Sequence, residues 1–255
     1  MVKVHHLNCL EIQSPAGRAI GHCLLLEANN KLVLVDTGIG WLDTQKPTER
    51  IGQALIDQVG FQFDESWTAL RQIEQLGLVP EQVSDCVISH LDPDHIGGLA
   101  DFPQATVHVG EEEYENFKSG HPRYLPHQLA HQPVVKTYSA STETWQGFES
   151  RKIDIDFEVD LYFVPLFGHT LGHCGVAIQL PDQWLFYVGD AYYLQAELTD
   201  PHHPVHELAK ARADNDTWRL ENLHKIKQLK AEQPNIEIFG YHDVEEYDRF
   251  AVKDD

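Results

Sequence analysis

Apolar runs bounded by turn residues recur along the chain and predict a series of buried β-strands. Residues 23–27 and 32–36 are almost entirely apolar, and they flank Ala28-Asn29-Asn30-Lys31, which has turn composition. This arrangement predicts a β-hairpin. Further strands are predicted at residues 83–89, 106–109, 160–164, 175–180, 184–188 and 236–239.

Between the first strands, apolar residues at helical spacing predict two amphipathic helices. The first is capped by Thr48, and the second follows Ser66 and stops at Gly77, with Pro80 beyond it. Their apolar faces consist of Ile51, Leu55 and Ile56 in the first helix and Leu70, Ile73 and Leu76 in the second.

Two more helices are predicted later in the chain, at residues 111–117 and 216–232. The second carries an apolar side, with His224 expected in solvent; this side consists of Leu220, Leu223, Ile226 and Leu229. His108 alternates with valines and is predicted to face a polar surface from a strand. The order of elements predicts a two-layer sheet core with helices outside, laid out as two similar halves.

Residues 119–150 show no steady hydrophobic period and are rich in Pro, His, Ser, Thr and aromatic residues. Long irregular segments of compact domains are often lids or binding loops. We therefore expect one domain over residues 1–255, with a lid or substrate loop inserted at residues 119–150.

Composition restricts the partners of this chain. A hydrophobic content of 42% with 10% aromatics suffices for a packed core, and 19 Lys+Arg against 40 Asp+Glu give a formal net charge of −21. This charge disfavours nucleic acid and anionic membranes. The sequence shows neither a signal peptide nor a run of membrane-spanning length, which favours the cytoplasm. The four cysteines form no CxxC pair and are expected to be buried free thiols.

The segment Ser89–Gly98 places two histidines and two aspartates within six positions, directly after an apolar strand. The four residues are His90, Asp92, Asp94 and His95. Imidazole nitrogens and carboxylate oxygens are good zinc ligands, and a loop anchored on a strand can hold several of them around one point. The alternative is a polar turn in which Asp92-Pro93 and the two glycines only interrupt the chain.

Three other predicted strands also end in histidine or aspartate with glycines alongside. The residues after these strands are His169 and His173, then Asp190, and finally His242. Asp36 similarly follows the second strand of the hairpin, although there it would equally serve as a turn cap. A single polar strand end means little, but four together are better explained by one shared site.

These segments resemble, in order, the five motifs of the metallo-β-lactamase-fold hydrolases. The matching segments are Asp36-Thr37-Gly38, His90-x-Asp92-x-Asp94-His95, Gly168-His169-Thr170-x-Gly172-His173, Gly189-Asp190 and His242. The resemblance spans residues 36–243 and implies an α/β fold of the four-layer αββα sandwich type, with a metal site at the sheet edge.

The resemblance also implies a role for each residue of the site. His90, Asp92 and His169 would bind a first metal ion, while Asp94, His95 and His242 would bind a second. Asp190 would bridge the two ions and Asp36 would support the site. His173 is not a usual ligand of the family and is expected to pack or hydrogen-bond beside the ligands.

Position 92 departs from the family pattern, which is HxHxDH, because aspartate stands where the second histidine belongs. A damaged site with one metal ion or none is one interpretation. A carboxylate is a competent ligand, so we favour an intact site that holds two divalent ions with one more negative charge. We rank zinc first, and the extra oxygen makes Mn²⁺ or Fe²⁺ more competitive.

The chemistry implied by the resemblance is hydrolysis of a small ester or lactone by a metal-bound hydroxide. Asp94 and Tyr193 are the predicted catalytic residues. Tyr193 would stabilise an oxyanion, because N-acyl homoserine lactonases of this superfamily are similar at that offset from the bridging aspartate; the alternative is an aromatic packed under a loop.

A lactonase is the favoured function, and the predicted partner is a small-molecule substrate. The alternatives are a glyoxalase-II-like thioesterase and, from a different class, a non-catalytic metal- or ligand-binding protein. Phosphodiester cleavage is disfavoured by the net charge, and an antibiotic β-lactamase by the expected location. The oligomeric state is left open, with a homodimer as one option.

Overall fold

Two β-sheets form the centre of the fold in the computed structural model, which describes residues 2–15 and 17–251. The seven-stranded sheet has the order β4-β1-β2-β3-β5-β6-β7 and contains β1 (Lys3–Ser14), β2 (Gly17–Ala28), β3 (Lys31–Val35), β4 (Phe61–Gln62), β5 (Val83–Val87), β6 (Thr106–Gly110) and β7 (Val135–Tyr138). A two-stranded sheet contains β8 (Thr144–Trp145) and β9 (Phe148–Glu149). The five-stranded sheet has the order β10-β11-β12-β13-β14 and contains β10 (Arg151–Lys152), β11 (Leu161–Pro165), β12 (Cys174–Gln179), β13 (Trp184–Tyr187) and β14 (Ile236–Phe239).

The helices of the described chain are mostly short. They are α1 (Trp41–Gln45), α2 (Pro47–Arg50), α3 (Gln53–Val59), α4 (Ala69–Gln75), α5 (Pro93–Ile96), α6 (Glu111–Lys118), α7 (Ala196–Thr199), α8 (Val205–Arg212), α9 (Asp216–Glu232) and α10 (Val244–Ala251). None of the described helices combines the length and hydrophobicity needed to span a bilayer.

The seven-stranded sheet combines an antiparallel half with a parallel half. Strands β2 and β3 pair as the predicted hairpin, and its turn places Asn29 and Asn30 at φ 47° and 61°, a region that asparagine tolerates. Strands β3, β5, β6 and β7 are parallel. The carboxyl ends of β3 and β5 therefore meet at one sheet edge, which brings Asp36 next to the segment Ser89–Gly98.

In the five-stranded sheet, alternate residues of each strand serve two different cores. On β13, Leu185 and Tyr187 belong to the core that includes the first sheet, whereas Phe186 packs with Val188 against the core that includes α9. This period of two is that of a strand buried on both faces. One face packs on the other sheet and one on helices, as the αββα arrangement requires.

The structure corrects the first predicted helix. Thr48 is the second residue of α2 and not a cap, and the helix breaks at Gly52, which takes φ 90°, before α3 begins at Gln53. The second helix, α4, begins after Thr68, whose side chain accepts a hydrogen bond from the Arg71 N–H, and not after Ser66.

Two leucines of the predicted apolar faces lie in solvent. Leu76 and Leu220 are each 45% exposed, so spacing alone assigned them to the wrong side. The rest of the long helix agrees with the prediction: α9 buries Leu223, Ile226 and Leu229. His224 is exposed, as expected.

His108 does not face a polar surface. It is fully buried, its Nε2 lies 2.7 Å from Asp85 Oδ1, and its Nδ1 lies 2.7 Å from the Tyr138 hydroxyl. Tyr138 is the last residue of β7, which lies inside the aperiodic segment 119–150 and pairs in parallel with β6. Part of that segment is therefore sheet, and the lid remains a prediction for the rest. All four cysteines are free and buried, as expected.

Two acids hold the start of helix α1, Asp43 from within the helix and the partly buried Asp101 from the turn after the His/Asp segment. Asp43 Oδ2 accepts the Gly40 N–H at 3.1 Å, and Asp101 Oδ2 accepts the Trp41 N–H at 2.8 Å. Burial raises the pKa of Asp101 to about 7, and the nearby Asp43 carboxylate adds to the rise, against the opposing effects of the Trp41 N–H and Arg50.

We expect Asp101→Asn to raise the melting temperature at pH 8 by more than at pH 5. The unfolded carboxyl titrates near its ordinary pKa of 3.8 and the folded one near 7, so the unfolded state releases its proton first and folding loses stability as the pH rises through this window. Asparagine still accepts the Trp41 N–H but carries no charge. Thermal unfolding at both pH values checks this expectation, and an equal gain at both would contradict it.

Candidate metal centre

The predicted site residues from all four strand ends come together at one edge of the sandwich. His90, Asp92, Asp94 and His95 follow β5, His169 follows β11, Asp190 follows β13 and His242 follows β14. Two compact groups suited to a metal ion result, namely His90 with His169 and Asp190, and Asp94 with His95 and His242.

Asp92 lies beside the first group. Its Oδ2 lies 3.2 Å from His169 Nε2 and 3.5 Å from His90 Nε2. Asp190 Oδ2 lies 3.4 Å from His169 Nε2 and 4.0 Å from His90 Nε2. Ligand atoms about 2.0 Å from a tetrahedral zinc ion stand roughly 3.3 Å apart, so these spacings suit a four-coordinate site.

In the second group, the carboxylates again stand at coordination spacing from the imidazoles. His242 Nε2 lies 3.8 Å from Asp94 Oδ2 and 3.4 Å from Asp190 Oδ2. His95 Nε2 lies 3.9 Å from Asp94 Oδ2 and 3.5 Å from Asp190 Oδ1. Asp190 thus faces imidazoles of both groups, in the place of a bridging ligand.

Three of these donor atoms are buried without a hydrogen-bond partner: His90 Nε2, His95 Nε2 and Asp190 Oδ1. A buried polar atom left unpaired costs about 1–3 kcal/mol. Two divalent cations, one in each donor group, would satisfy all three atoms, and nitrogen and carboxylate oxygen are donors that Zn²⁺, Mn²⁺ and Fe²⁺ accept. The residues present therefore fit two metal ions.

Asp36 supports the site from below. Its side chain is fully buried and accepts hydrogen bonds from Ser89 N–H at 2.8 Å, Ser89 Oγ at 2.7 Å and the Tyr187 hydroxyl at 2.5 Å. It also lies 2.8 Å from His95 Nδ1. A carboxylate on Nδ1 fixes the ring orientation and leaves Nε2 free for a metal ion.

His173 packs beneath the site, as expected for a residue that is not a ligand. Its Nε2 accepts the Asp190 N–H at 3.0 Å, and its Nδ1 lies 3.2 Å from the Leu166 carbonyl oxygen. Gly189 takes φ 52°, and a Cβ there would lie 2.7 Å from His173 Nε2. Glycine therefore allows the turn that presents Asp190.

Tyr193 stands between the two donor groups. Its ring centroid lies 5.7 Å from that of His169 and 5.3 Å from that of His242, edge to face with both. Burial raises the pKa of the Tyr193 phenol well above its usual range, and the Asp190 carboxylate adds to the rise. The phenol therefore keeps its proton at neutral pH and remains a hydrogen-bond donor.

Tyr192 and Tyr241, which flank motif residues in the sequence, do not stand between the donor groups. Tyr192 is fully buried, and its hydroxyl donates to the Glu246 carboxylate at 3.0 Å. Tyr241 packs against the His95 ring in a tilted arrangement, with 3.8 Å between centroids, and its hydroxyl donates to the Asp94 carbonyl oxygen at 2.6 Å. Both positions are structural.

Arg123 is the site residue that the sequence patterns missed. It lies in the aperiodic segment 119–150, and its guanidinium forms a two-pronged pair with Asp92, with Nε–Oδ1 and Nη2–Oδ2 both at 2.7 Å. A single arginine in an aperiodic segment gives no signal that would identify its partner.

Opposing effects act on the Asp92 carboxyl. Burial alone would raise its pKa, but the Arg123 guanidinium and the neighbouring His169 and His90 imidazoles outweigh burial and hold the pKa well below its usual range. The pKa of Asp190 is lowered in the same way, because His242 and His95 outweigh its burial. Both side chains are therefore carboxylates at neutral pH.

Glu113 is a second buried residue that the sequence patterns missed. Its carboxyl accepts the Leu91 N–H at 2.8 Å, the Thr170 hydroxyl at 2.6 Å and the Tyr124 hydroxyl at 2.9 Å. Burial raises its pKa to about 7. This residue joins the loop of His90 to the loop of His169 and so fixes the spacing between them.

Comparison with known proteins agrees with this arrangement. The family model of the metallo-beta-lactamase superfamily matches residues 16–232. A probable metallo-hydrolase of Mycobacterium tuberculosis is 35% identical over 256 residues, covering 96% of this chain and 82% of that protein.

Solved structures of similar fold include two lactonases. An N-acyl homoserine lactone hydrolase with N-hexanoyl-L-homoserine bound at its catalytic metal centre matches with a TM-score of 0.73 and 18% identity, covering 97% of this chain and 95% of that one. AidC, a dizinc quorum-quenching lactonase, matches with a TM-score of 0.63 and 19% identity, covering 95% and 87%. At such identities the match concerns the fold, and it confirms the predicted sandwich.

Proposed function

Because this chain belongs to the metallo-β-lactamase superfamily and is a hydrolase of that superfamily, we propose that it holds two divalent metal ions and hydrolyses small lactones and esters. The observation that carries the proposal is the pair of donor groups sharing Asp190, with Tyr193 standing between them. Superfamily membership confirms the resemblance found in the motifs.

In this proposal His90, Asp92 and His169 hold one ion, Asp94, His95 and His242 hold the other, and Asp190 contacts both. Two bound divalent ions supply an activated water nucleophile and polarise the oxygen under attack. Zinc is the proposed metal, since the donor set is mixed imidazole and carboxylate and AidC, with the same fold, is a dizinc enzyme.

The protein's own groups position and stabilise the reacting atoms. The Tyr193 hydroxyl donates a hydrogen bond to the oxyanion that forms when the carbonyl is attacked, which requires the phenol to keep its proton. The Asp94 side chain is 13% exposed, and its carboxylate can accept a proton at the rim of the site.

Small lactones are the favoured substrates because two enzymes of the same fold bind N-hexanoyl-L-homoserine, the product of lactone opening. The net charge of −21 opposes the approach of polyanionic substrates such as RNA. A lactone carries no charge and meets no such barrier.

The test is metal quantification on protein purified without chelators, followed by a hydrolysis screen over N-acyl homoserine lactones, simple esters, thioesters and phosphodiesters. We expect two ions per chain and turnover of lactones. Hydrolysis of thioesters without hydrolysis of lactones would show that thioesters, and not lactones, are the substrate class. A folded protein that takes up no zinc, manganese or iron would overturn the proposal and favour a non-catalytic binding protein.

Tyr193→Phe is expected to lower kcat for lactone hydrolysis by about 100-fold, the usual cost of losing one oxyanion donor, while KM changes by only a few fold. Steady-state kinetics at saturating metal check this expectation. Tyr192→Phe is the matched control, because that hydroxyl faces Glu246 and not the donor groups, and its kcat should be unchanged. Equal kcat values for Tyr193→Phe and the parent would exclude the proposed role of the hydroxyl.

A further inference from the structure

The guanidinium of Arg123 forms hydrogen bonds along two of its edges with residues in and around the candidate metal centre. One edge carries the pair with Asp92, and Nη1 on the other edge donates to the His169 carbonyl oxygen at 2.9 Å and to Asp214 Oδ1 at 2.6 Å. The Arg123 side chain is only 11% exposed. These contacts fix the guanidinium in one place beside the first donor group.

Within the pair, Asp92 Oδ2 faces the imidazoles of the first donor group, and Nη2 of the guanidinium itself lies 3.2 Å from His169 Nε2. Oδ1 accepts from Nε, and Oδ2 accepts from Nη2 while facing His169 Nε2 at 3.2 Å and His90 Nε2 at 3.5 Å. Each carboxylate oxygen has two lone pairs, so Oδ2 can serve the guanidinium with one and an ion with the other. Asp92 is thereby limited to a single ligand atom, as a histidine would be.

The charge of the pair also matches that of a histidine ligand. Aspartate at position 92 adds one negative charge to a site that already holds Asp94 and Asp190, and the guanidinium lies directly on that carboxylate. Since arginine stays protonated in proteins, the compensation does not vary with pH. Asp214 shares the guanidinium, but it binds the opposite edge, away from Asp92.

We propose that Arg123 is a positioning residue that adapts Asp92 to the place of the second histidine, by orienting Oδ2 toward the first metal ion and offsetting its negative charge. The inference rests on the proposed two-metal function. It explains why an acid at this position does not signify a damaged site. Groups that orient a ligand typically contribute 10- to 100-fold to metal affinity.

The experiment compares metal binding by the parent, Arg123→Met, Arg123→Lys, Asp92→His and the double variant Asp92→His/Arg123→Met. Zinc is titrated against a competing chelator, and bound ions are counted after dialysis. We expect Arg123→Met to bind one of the two ions about 10- to 100-fold more weakly and Arg123→Lys to be intermediate, since lysine keeps the charge but lacks the fork.

The double variant separates pairing from a general structural role. Asp92→His alone leaves an uncompensated guanidinium against a new imidazole, so it should bind the first ion weakly. Removing the arginine as well recreates the family's usual ligand set, and the double variant should bind both ions within about three-fold of the parent. Recovery by a second substitution is not expected if Arg123 only stabilises the fold.

Arg151→Met provides the control, because Arg151 is also a largely buried arginine and its Nη1 and Nη2 make a two-pronged contact with Glu112, outside the two donor groups. Circular dichroism of the metal-free proteins establishes that each variant is folded. Arg151→Met should lower stability and keep both ions.

The outcomes distinguish the two proposals. A parent that binds no metal refutes the proposed function. A parent that binds two ions, with Arg123→Met unchanged, refutes the role of Arg123 alone. Tighter zinc binding by Arg123→Met would show that the guanidinium competes with the ion, which also refutes it. If Arg123→Met does not fold, the double variant decides, and its failure to hold two ions overturns the inference.

Discussion

His169→Ala is expected to abolish hydrolysis, with kcat/KM falling by at least about 10³-fold, and to reduce the bound metal from two ions to one. Its Nε2 lies 3.2 Å from Asp92 Oδ2 and 3.4 Å from Asp190 Oδ2, at the centre of the first donor group. Loss of one ligand leaves carboxylates without the cation that offsets them and removes the ion that activates water or polarises the substrate. Metal counting and lactone kinetics on the same preparation test both parts.

His108→Ala is the matched control for that substitution. His108 is also fully buried and hydrogen-bonded to an aspartate, Asp85, but it lies between strands and outside the two donor groups. It should lower thermal stability while keeping both ions and the parental kcat. Full turnover by His169→Ala would refute the proposed site, and loss of metal in both variants would mean that the assay reports folding and not ligation.

Asp36→Ala should cause the largest loss of stability among single substitutions near the site, about 3–5 kcal/mol in the free energy of unfolding. The carboxylate accepts from Ser89, from the Tyr187 hydroxyl and from His95, and each buried donor left unpaired costs about 1–3 kcal/mol. Asp36 also takes φ 54°, which alanine tolerates less well than aspartate. Urea unfolding with chelator present measures the loss without a contribution from metal binding.

Two further substitutions separate the causes of that loss. Asp36→Asn keeps an acceptor oxygen and a residue that tolerates φ 54°, so it should lose clearly less stability than Asp36→Ala. Asp64→Ala removes another aspartate that accepts two hydrogen bonds, from Ser66, but at the surface, and should have a much smaller effect. Equal losses of stability for Asp36→Ala and Asp64→Ala would contradict the expected contribution of the buried hydrogen bonds of Asp36.

The strand ends show why much of the site was predictable. Buried strands are recognisable in the sequence as short runs of apolar residues. A polar residue directly after such a run can be identified without any knowledge of the fold. His90, His169, Asp190 and His242 were placed in this way, and the structure brings them together because parallel neighbours and facing sheets share one edge. The sequence pattern therefore predicts the position of these residues in the fold, because both depend on where the strands end.

Helix faces were less predictable, and the reason is physical. Leu76 and Leu220 follow helical spacing but lie in solvent, because Leu76 comes directly after the end of α4 and the buried side of α9 contains Arg219 and Leu223. His108 was misplaced for the opposite reason: its valine neighbours suggested one polar face, while Asp85 and Tyr138 from adjacent strands cover that face. Burial at these positions depends on neighbours that the local pattern does not contain.

By itself, the sequence determined the strands, the order of the motifs and the donor types at each strand end, because these depend on residues close together in the chain. Only the tertiary structure decided that Asp92 is paired with Arg123, 31 residues away, that Glu113 ties two motif loops together, and that Tyr193 stands between the donor groups. Such contacts arise when separate loops fold over one edge. The sequence shows Asp92 only as an aspartate in the place of the family's second histidine, whereas the structure shows a buried carboxylate paired with Arg123, which we propose to be an oriented, charge-compensated ligand.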